Sequence, residues 1–135
     1  MTNTLDLLYK KYKQLRDIVG EKWHEQYNVH LSNSEWGILN AIFEGATSIP
    51  EVMQKNEISK QAAHKFIKNL EEKQLIVTEL IKAPKVQRKI ELTQFGLDIY
   101  EESLQVQKSI EQQIEQKLGE ENYNQLVRIL KKPWL

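Results

Sequence analysis

Apolar residues recur three and four positions apart over residues 4–28, at Leu5, Leu8, Tyr12, Leu15, Val19 and Trp23, which predicts one long amphipathic helix. His30-Leu31-Ser32-Asn33 breaks the period. Ser34 is placed to cap a second helix from Glu35 to about Glu44, with Trp36, Leu39 and Phe43 on its buried side and Gly45 as its stop. Pro50 suits the first turn of a short third helix that runs to about Lys55, and Asn56-Glu57 is a turn. Ser59 caps a fourth helix, ISKQAAHKFIKNLEEKQ, that ends near Gln74. LIVTELI and QRKIEL then read as two strands joined by Lys82-Ala83-Pro84-Lys85-Val86, and a very short strand is expected near Ser48. Thr93 caps a long helix over 94–118 with Leu97, Tyr100, Leu104, Ile110, Ile114 and Leu118 inward. Gly119 ends it, and Glu120–Lys132 forms a last helix carrying Tyr123, Leu126, Val127 and Leu130 before Pro133. The predicted fold class is mainly α with a small antiparallel β-hairpin. No linker or internal repeat divides the chain, so one domain spanning 1–135 is expected.

The fourth helix has two chemically distinct sides. At 100° per residue, Lys60, Gln61, His64, Lys65 and Lys68 fall within an arc of about 140°. Ala63, Phe66, Ile67 and Leu70 fall opposite and can pack. Lysine reaches phosphates or guanine acceptors, glutamine can pair with adenine, and His64 can donate or accept. Ala62 keeps the first turn slim. The hairpin adds Lys82, Lys85, Arg88 and Lys89, cations suited to phosphate or minor-groove contact. Lysine on an exposed strand also discourages edge pairing, so edge protection is the competing explanation of the hairpin charges. A basic helix followed at once by a hairpin is the arrangement in which a winged helix meets DNA, with the helix in a major groove and the hairpin beside the backbone.

Net charge on its own argues against this, since 19 Lys and Arg balance 19 Asp and Glu. The distribution answers the objection. Residues 59–90 carry a net +5, whereas residues 91–121 carry −6. Positive charge is therefore concentrated in the segment expected to meet nucleic acid, and an acidic helix behind it hides the imbalance. The 135-residue length suits one domain, and 40% apolar residues can fill a core. No apolar run is long enough for a membrane span, and MTNTLDLLYK lacks the form of a signal peptide, so a cytoplasmic protein is expected. With no cysteine, disulfides, thiolate metal sites and cysteine nucleophiles are excluded.

The layout resembles the MarR family of bacterial winged-helix transcriptional regulators over essentially the whole chain. The match is strongest from Ile58 through Gly96: I-S-K at the helix start, N-L-E-E-K at its end, Leu75-Ile76, then Leu92-Thr93 with Gly96 following. The resemblance implies a winged helix-turn-helix lobe over 34–96 and dimerisation helices over 1–30 and 97–135. It implies a homodimer on double-stranded DNA, with one lobe on each half of a pseudo-palindromic operator. Ser59, Lys60, Gln61, His64, Lys65, Lys68, Lys85 and Arg88 are the expected DNA-binding residues. Repression is the expected sign of regulation, because a protein occupying a promoter blocks polymerase. Leu5, Leu8, Ile110, Ile114, Leu118, Leu126, Leu130 and Trp134 are available for a bundle between subunits. The family also implies a small aromatic effector, for which Tyr12, Trp23, Tyr27, His30 and Trp36 are the candidate pocket. At helical spacing these aromatics read first as core.

The chain departs from the family in three places. Gln74 stands where glycine usually precedes the first wing strand. Asn56-Glu57 replaces a glycine-bearing turn, and Asn56 is the residue better suited to a left-handed position. The wing is short and holds Lys85 and Arg88 without the usual aspartate. A winged-helix module that binds protein and no longer reads DNA is the alternative.

An enzyme is not expected. There is no phosphate-cradling glycine loop and no G-x-S-x-G turn. His24 and His30 are six residues apart, off a shared helical face, and no histidine has a recognised metal-ligand spacing, so neither metal nor cofactor is expected.

Overall fold

In the computed structural model, which describes residues 3–135, the elements follow in the expected order. They are α1 (Thr4–Gln26), α2 (Asn33–Phe43), α3 (Ile49–Asn56), α4 (Lys60–Glu72), β1 (Ile76–Ile81), β2 (Gln87–Leu92), α5 (Gln94–Leu118) and α6 (Glu120–Lys131). Residues 1 and 2 of the expected 1–30 segment lie outside the described residues. The chain forms two compact units. One is Val29–Glu102, and the other combines Met1–Asn28 with Ser103–Leu135.

The Val29–Glu102 unit is built on a small apolar core. Ile38 and Leu39 of α2, Val52 of α3, Ala63, Ile67 and Leu70 of α4, Leu75, and Ile76 and Ile90 of the hairpin are all buried. This places the inward side of α4 where its periodicity put it. On α2 the inward side is rotated from the expected one. Glu35, Ile38, Leu39, Ala41 and Ile42 are buried, whereas Trp36 is half-buried and Phe43 largely exposed. Phe43 instead stacks on Tyr100, with ring centroids 4.5 Å apart, and the Tyr100 hydroxyl donates to Asn40 Oδ1. The start of α5 is thereby fastened to α2. Leu104 and Leu118, expected inward on α5, are also exposed, whereas Tyr100 and Ile110 are buried as expected, together with Ile99, Ser103 and Val106.

Helix ends account for the rest of the lobe. The cap of α2 is Ser32, not Ser34. Ser32 Oγ accepts from the Glu35 backbone N–H, while Glu35 Oε1 accepts from the Ser32 N–H, a reciprocal capping box that only the Ser32–Glu35 spacing allows. Three helices then stop by the same device. Gly45 donates to Ile42 O and Ala46 to Ala41 O; Gln74 donates to Glu71 O and Leu75 to Leu70 O; Ile58 reaches back to Met53 O. Each stop needs one residue in the left-handed region. Those residues are Gly45 (φ 116°), Glu57 (φ 51°) and Gln74 (φ 63°). Glu57 thus takes the position expected of Asn56. The Asn56 side chain is occupied otherwise: its Nδ2 donates to Val52 O, and its Oδ1 lies where a Cβ on Gly37 would come within 2.8 Å.

The hairpin pairs Ile76 with Leu92 through Ile81 with Gln87, leaving residues 82–86 as its loop. Beside Ser48 the chain forms a single bridge to Lys89, and Ile90 N–H donates to Thr47 O at 2.9 Å. The very short strand expected there is this bridge, and it sets β2 between β1 and residues 47–48.

Where β2 hands over to α5, Thr93 N–H donates to Leu75 O, Thr93 Oγ1 donates to Gln74 O, and Gly96 N–H donates to Thr93 Oγ1. A Cβ on Gly96 would lie 1.9 Å from Leu75 O, a backbone atom that cannot step aside. Glycine at 96 is a steric requirement.

In the other unit, α1 is capped by Asn3, whose side chain accepts from Asp6 N–H at 2.8 Å. Trp23 is its buried residue and stacks on Tyr27. Its three helical segments pack little against one another. Leu5, Leu8, Leu118, Leu126, Leu130 and Trp134 are exposed, while Ile110 is buried and Ile114 half-buried.

These backbone features give opposite expectations for glycine substitutions. Gly96→Ala should lower the unfolding free energy by more than about 3 kcal/mol, whereas Gly20→Ala, with open space around it, should raise it by up to about 1 kcal/mol. Gln74→Gly should also be neutral to stabilising, by up to about 1 kcal/mol, because relief of left-handed strain exceeds the entropy lost. Denaturant midpoints of the three variants check this.

Candidate nucleic-acid interface

The outward side of α4 begins at Ser59, whose hydroxyl oxygen accepts from Ala62 N–H at 3.1 Å. Capping starts the helix so that its first turn projects Lys60 and Gln61. These two, with His64, Lys65 and Lys68, are all exposed, while Ala63, Ile67 and Leu70 behind them are buried. The structure therefore brings the helical members of the sequence-expected set onto one continuous face. That face can offer cations and amide or imidazole hydrogen-bonding groups to a groove.

The far end of α4 is held by an ion pair between an exposed lysine and a buried carboxylate. Lys73 Nζ donates to Glu35 Oε2 and to His30 O, both at 3.0 Å. Burial alone pushes the Glu35 carboxyl upward. The bond from Ser32 N–H, followed by those from the Lys73 ammonium and the Ser32 hydroxyl, outweighs it and leaves the carboxyl below its ordinary value. This pair ties the start of α2 to the end of α4 and so helps set the angle of the basic helix within its own lobe.

The hairpin cations separate into two kinds. Lys89 is paired with Glu91 at 3.0 Å, and that bond, with the charge of Glu79, raises its pKa. Lys82 and Lys85 stand exposed in the loop. Arg88 lies on the other face of β2 from Lys89. Its Nη1 donates to Thr78 Oγ1 at 2.9 Å, and Thr78 Oγ1 donates to Glu71 Oε2 at 2.7 Å. Glu71 and Thr78 were not among the expected site residues. Glu71 had a visible signal, since it falls about 20° from Lys60 on the helical wheel, inside the basic arc. Thr78 had none beyond its place on a strand.

The five candidate pocket residues do not all belong to one unit. Tyr12, Trp23 and Tyr27 lie in one, His30 and Trp36 in the other. Trp23 is buried against Tyr27, with centroids 4.0 Å apart, while Tyr12 is exposed under Arg16. A shallow apolar groove of about 350 Å³ between the end of α2 and β2 is lined by Ile42, Phe43, Ala46, Ile90, Leu92 and Leu97, and by none of those five. Among the described residues no helix is long and apolar enough to cross a membrane, and no cluster of His, Asp and Glu could hold a metal ion.

The Glu35 bonds fix a pH dependence. A carboxyl whose folded pKa is depressed contributes stability above its unfolded pKa and loses it as pH falls through the folded one. Stability should therefore decline on acidification below about pH 4.5. Glu35→Gln should cost about 1–3 kcal/mol at neutral pH and flatten that decline, as read by denaturant unfolding at a series of pH values.

No protein-family model matches the sequence, and no curated protein matches it. Solved structures do. MarR from E. coli, in its apo form, superposes with a TM-score of 0.79 at 16% identity, covering 97% of this chain and 96% of that one. MepR, the Staphylococcus aureus regulator of the multidrug efflux pump MepA, gives 0.78 at 19% identity over 96% and 94%, and a MepR–DNA complex gives 0.71 at 18% over 95% and 91%. BpsR of Bordetella bronchiseptica, whose DNA binding is regulated by 6-hydroxynicotinic acid, gives 0.69 at 21% over 93% of each chain. At these identities the likeness is one of fold: over nearly its whole length, the chain has the winged-helix architecture of MarR and MepR.

Proposed function

We propose that this chain is a dimeric, sequence-specific DNA-binding transcriptional regulator that represses by occupying a pseudo-palindromic operator. The observation that carries the reading is the outward face of α4, where Lys60, Gln61, His64, Lys65 and Lys68 are exposed together while the opposite side is sealed in the core. In this reading α4 enters the major groove, and Lys85 and Arg88 of the hairpin meet the backbone beside it. Binding of MepR to DNA through the same fold supports it. The exposed leucines of α1, α5 and α6, with Trp134, support a dimer, because so much unpaired apolar surface on loosely packed helices favours a second copy. The regulation of BpsR by a small aromatic acid supports an effector of that class here. Such a ligand lowers DNA affinity only by its preference for the DNA-incompetent state.

An operator selected from a random duplex pool provides the test. Lys65→Ala or Gln61→Ala should weaken operator binding by about 1–3 kcal/mol and leave the dimer intact. Lys85→Ala should weaken all sequences alike, since a phosphate contact carries little sequence information. Binding should fall steeply as salt rises. Binding that is flat with salt or absent would point instead to a protein-interaction module. Light scattering at micromolar concentration should return twice the chain mass, and a monomer would remove the bundle from the proposal.

A further inference from the structure

The arginine of the hairpin is joined to the end of the basic helix through one hydroxyl. Arg88 Nη1 donates to Thr78 Oγ1, which donates to Glu71 Oε2, at 2.9 and 2.7 Å. Strand register makes this possible. Leu80 lies opposite Arg88 and Thr78 opposite Ile90, so Thr78 and Arg88 are diagonal neighbours on one face of the hairpin, within reach of a long side chain. A threonine hydroxyl has a single proton. Once Glu71 has taken it, the oxygen offers only lone pairs, and a cation is its natural donor. The two bonds polarise each other in the same sense.

The arrangement serves both charged ends. Glu71 lies inside the basic arc of α4, where an unengaged carboxylate would repel phosphate. Its bond to Thr78 draws it to the hairpin. Arg88 spends one N–H of a rigid, planar donor set, and the remaining N–H groups stay in a fixed plane. A side chain already held gives up less freedom on binding than one that must be ordered by its partner.

We infer that Thr78 and Glu71 are positioning residues that hold Arg88 toward the DNA backbone, so that the wing contact is prepared by the last turn of α4. This deepens the DNA-binding reading above and rests on it. The test is binding of a fluorescently labelled duplex of arbitrary sequence, followed by anisotropy across a salt series, for the full chain and its variants. Arg88→Ala should weaken binding roughly fivefold and reduce the salt slope by about one. Thr78→Val keeps the arginine and suits a strand, yet should move both affinity and slope most of the way to the Arg88→Ala values. Thr78→Ser, which restores the hydroxyl, should return both to within about twofold of the parent. The double variant Thr78→Val with Arg88→Ala should be no weaker than Arg88→Ala alone. Thr78→Ala runs beside Thr78→Val, so that poor folding of one does not remove the test, and melting curves confirm that each variant is folded.

Parental affinity and slope in both Thr78→Val and Thr78→Ala, with a loss in Arg88→Ala, would overturn the positioning role and leave the DNA-binding reading standing. An unchanged Arg88→Ala beside a weakened Lys65→Ala would overturn it by removing the wing contact, with α4 still the reader. Absence of binding by the parent chain would overturn the DNA-binding reading and the inference with it.

Discussion

The contact on which the lobe turns is the approach of the α5 backbone to the carbonyl of Leu75. Space for a methyl group does not exist there, because a Cβ on residue 96 would sit 1.9 Å from the carbonyl oxygen. Around that approach, Thr93 joins the exit of α4 to the end of β2, using its N–H and its hydroxyl at once. The end of the basic helix, the start of β1, the end of β2 and the start of α5 therefore share one hydrogen-bonded node. The side chains expected to meet DNA sit on α4 and its cap or on the hairpin and its loop, and both α4 and the hairpin are anchored at this node. Loss of the close approach would separate helix from hairpin while leaving the local preference of each segment unchanged.

Charge in this protein is organised locally. A neutral total coexists with a strongly positive segment at 59–90, and three carboxylates in it or packed beside it are engaged. Glu71 is held by Thr78, Glu91 pairs with Lys89, and Glu35 is buried against Lys73 and the Ser32 cap. The Glu35–Lys73 pair differs from the fully exposed ones in that its carboxylate is buried. Breaking it would strand a carboxylate away from water, whereas an exposed pair such as Lys89–Glu91 adds little to stability.

Much of this was legible in the residues. Order and type of elements followed from periodicity, and the hairpin loop at 82–86 fell where Pro84 and the flanking strands put it. The basic face of α4 was legible because its opposite side is unambiguously apolar. Where the expectation failed at helix ends, two neighbouring residues competed for one position and a further side-chain contact chose between them. Ser32 and Ser34 can each cap a helix, and the carboxyl of Glu35 selects Ser32. Asn56 and Glu57 compete for one left-handed position, and Asn56 is already committed to Val52 O and to the space beside Gly37. On α2, Phe43 was expected in the core and instead stacks on Tyr100, a partner from another part of the chain that the period of α2 does not reveal. The bond from Arg88 to Thr78 depends on cross-strand register, which composition does not encode.

The bridge at Ser48 bears on how the protein behaves when crowded. Because residues 47–48 meet the outer side of β2 at Lys89 and Ile90, the edge of the sheet that no other backbone interrupts among the described residues is β1. Strand-on-strand association, the usual route from a small sheet to aggregates, thereby has the six residues of β1 as its unobstructed template. That edge is short and carries Glu79 between Val77 and Leu80, so a second chain laying a strand along it would have to desolvate a carboxylate. An apolar replacement of Glu79 would thus threaten solubility before it touched folding or recognition.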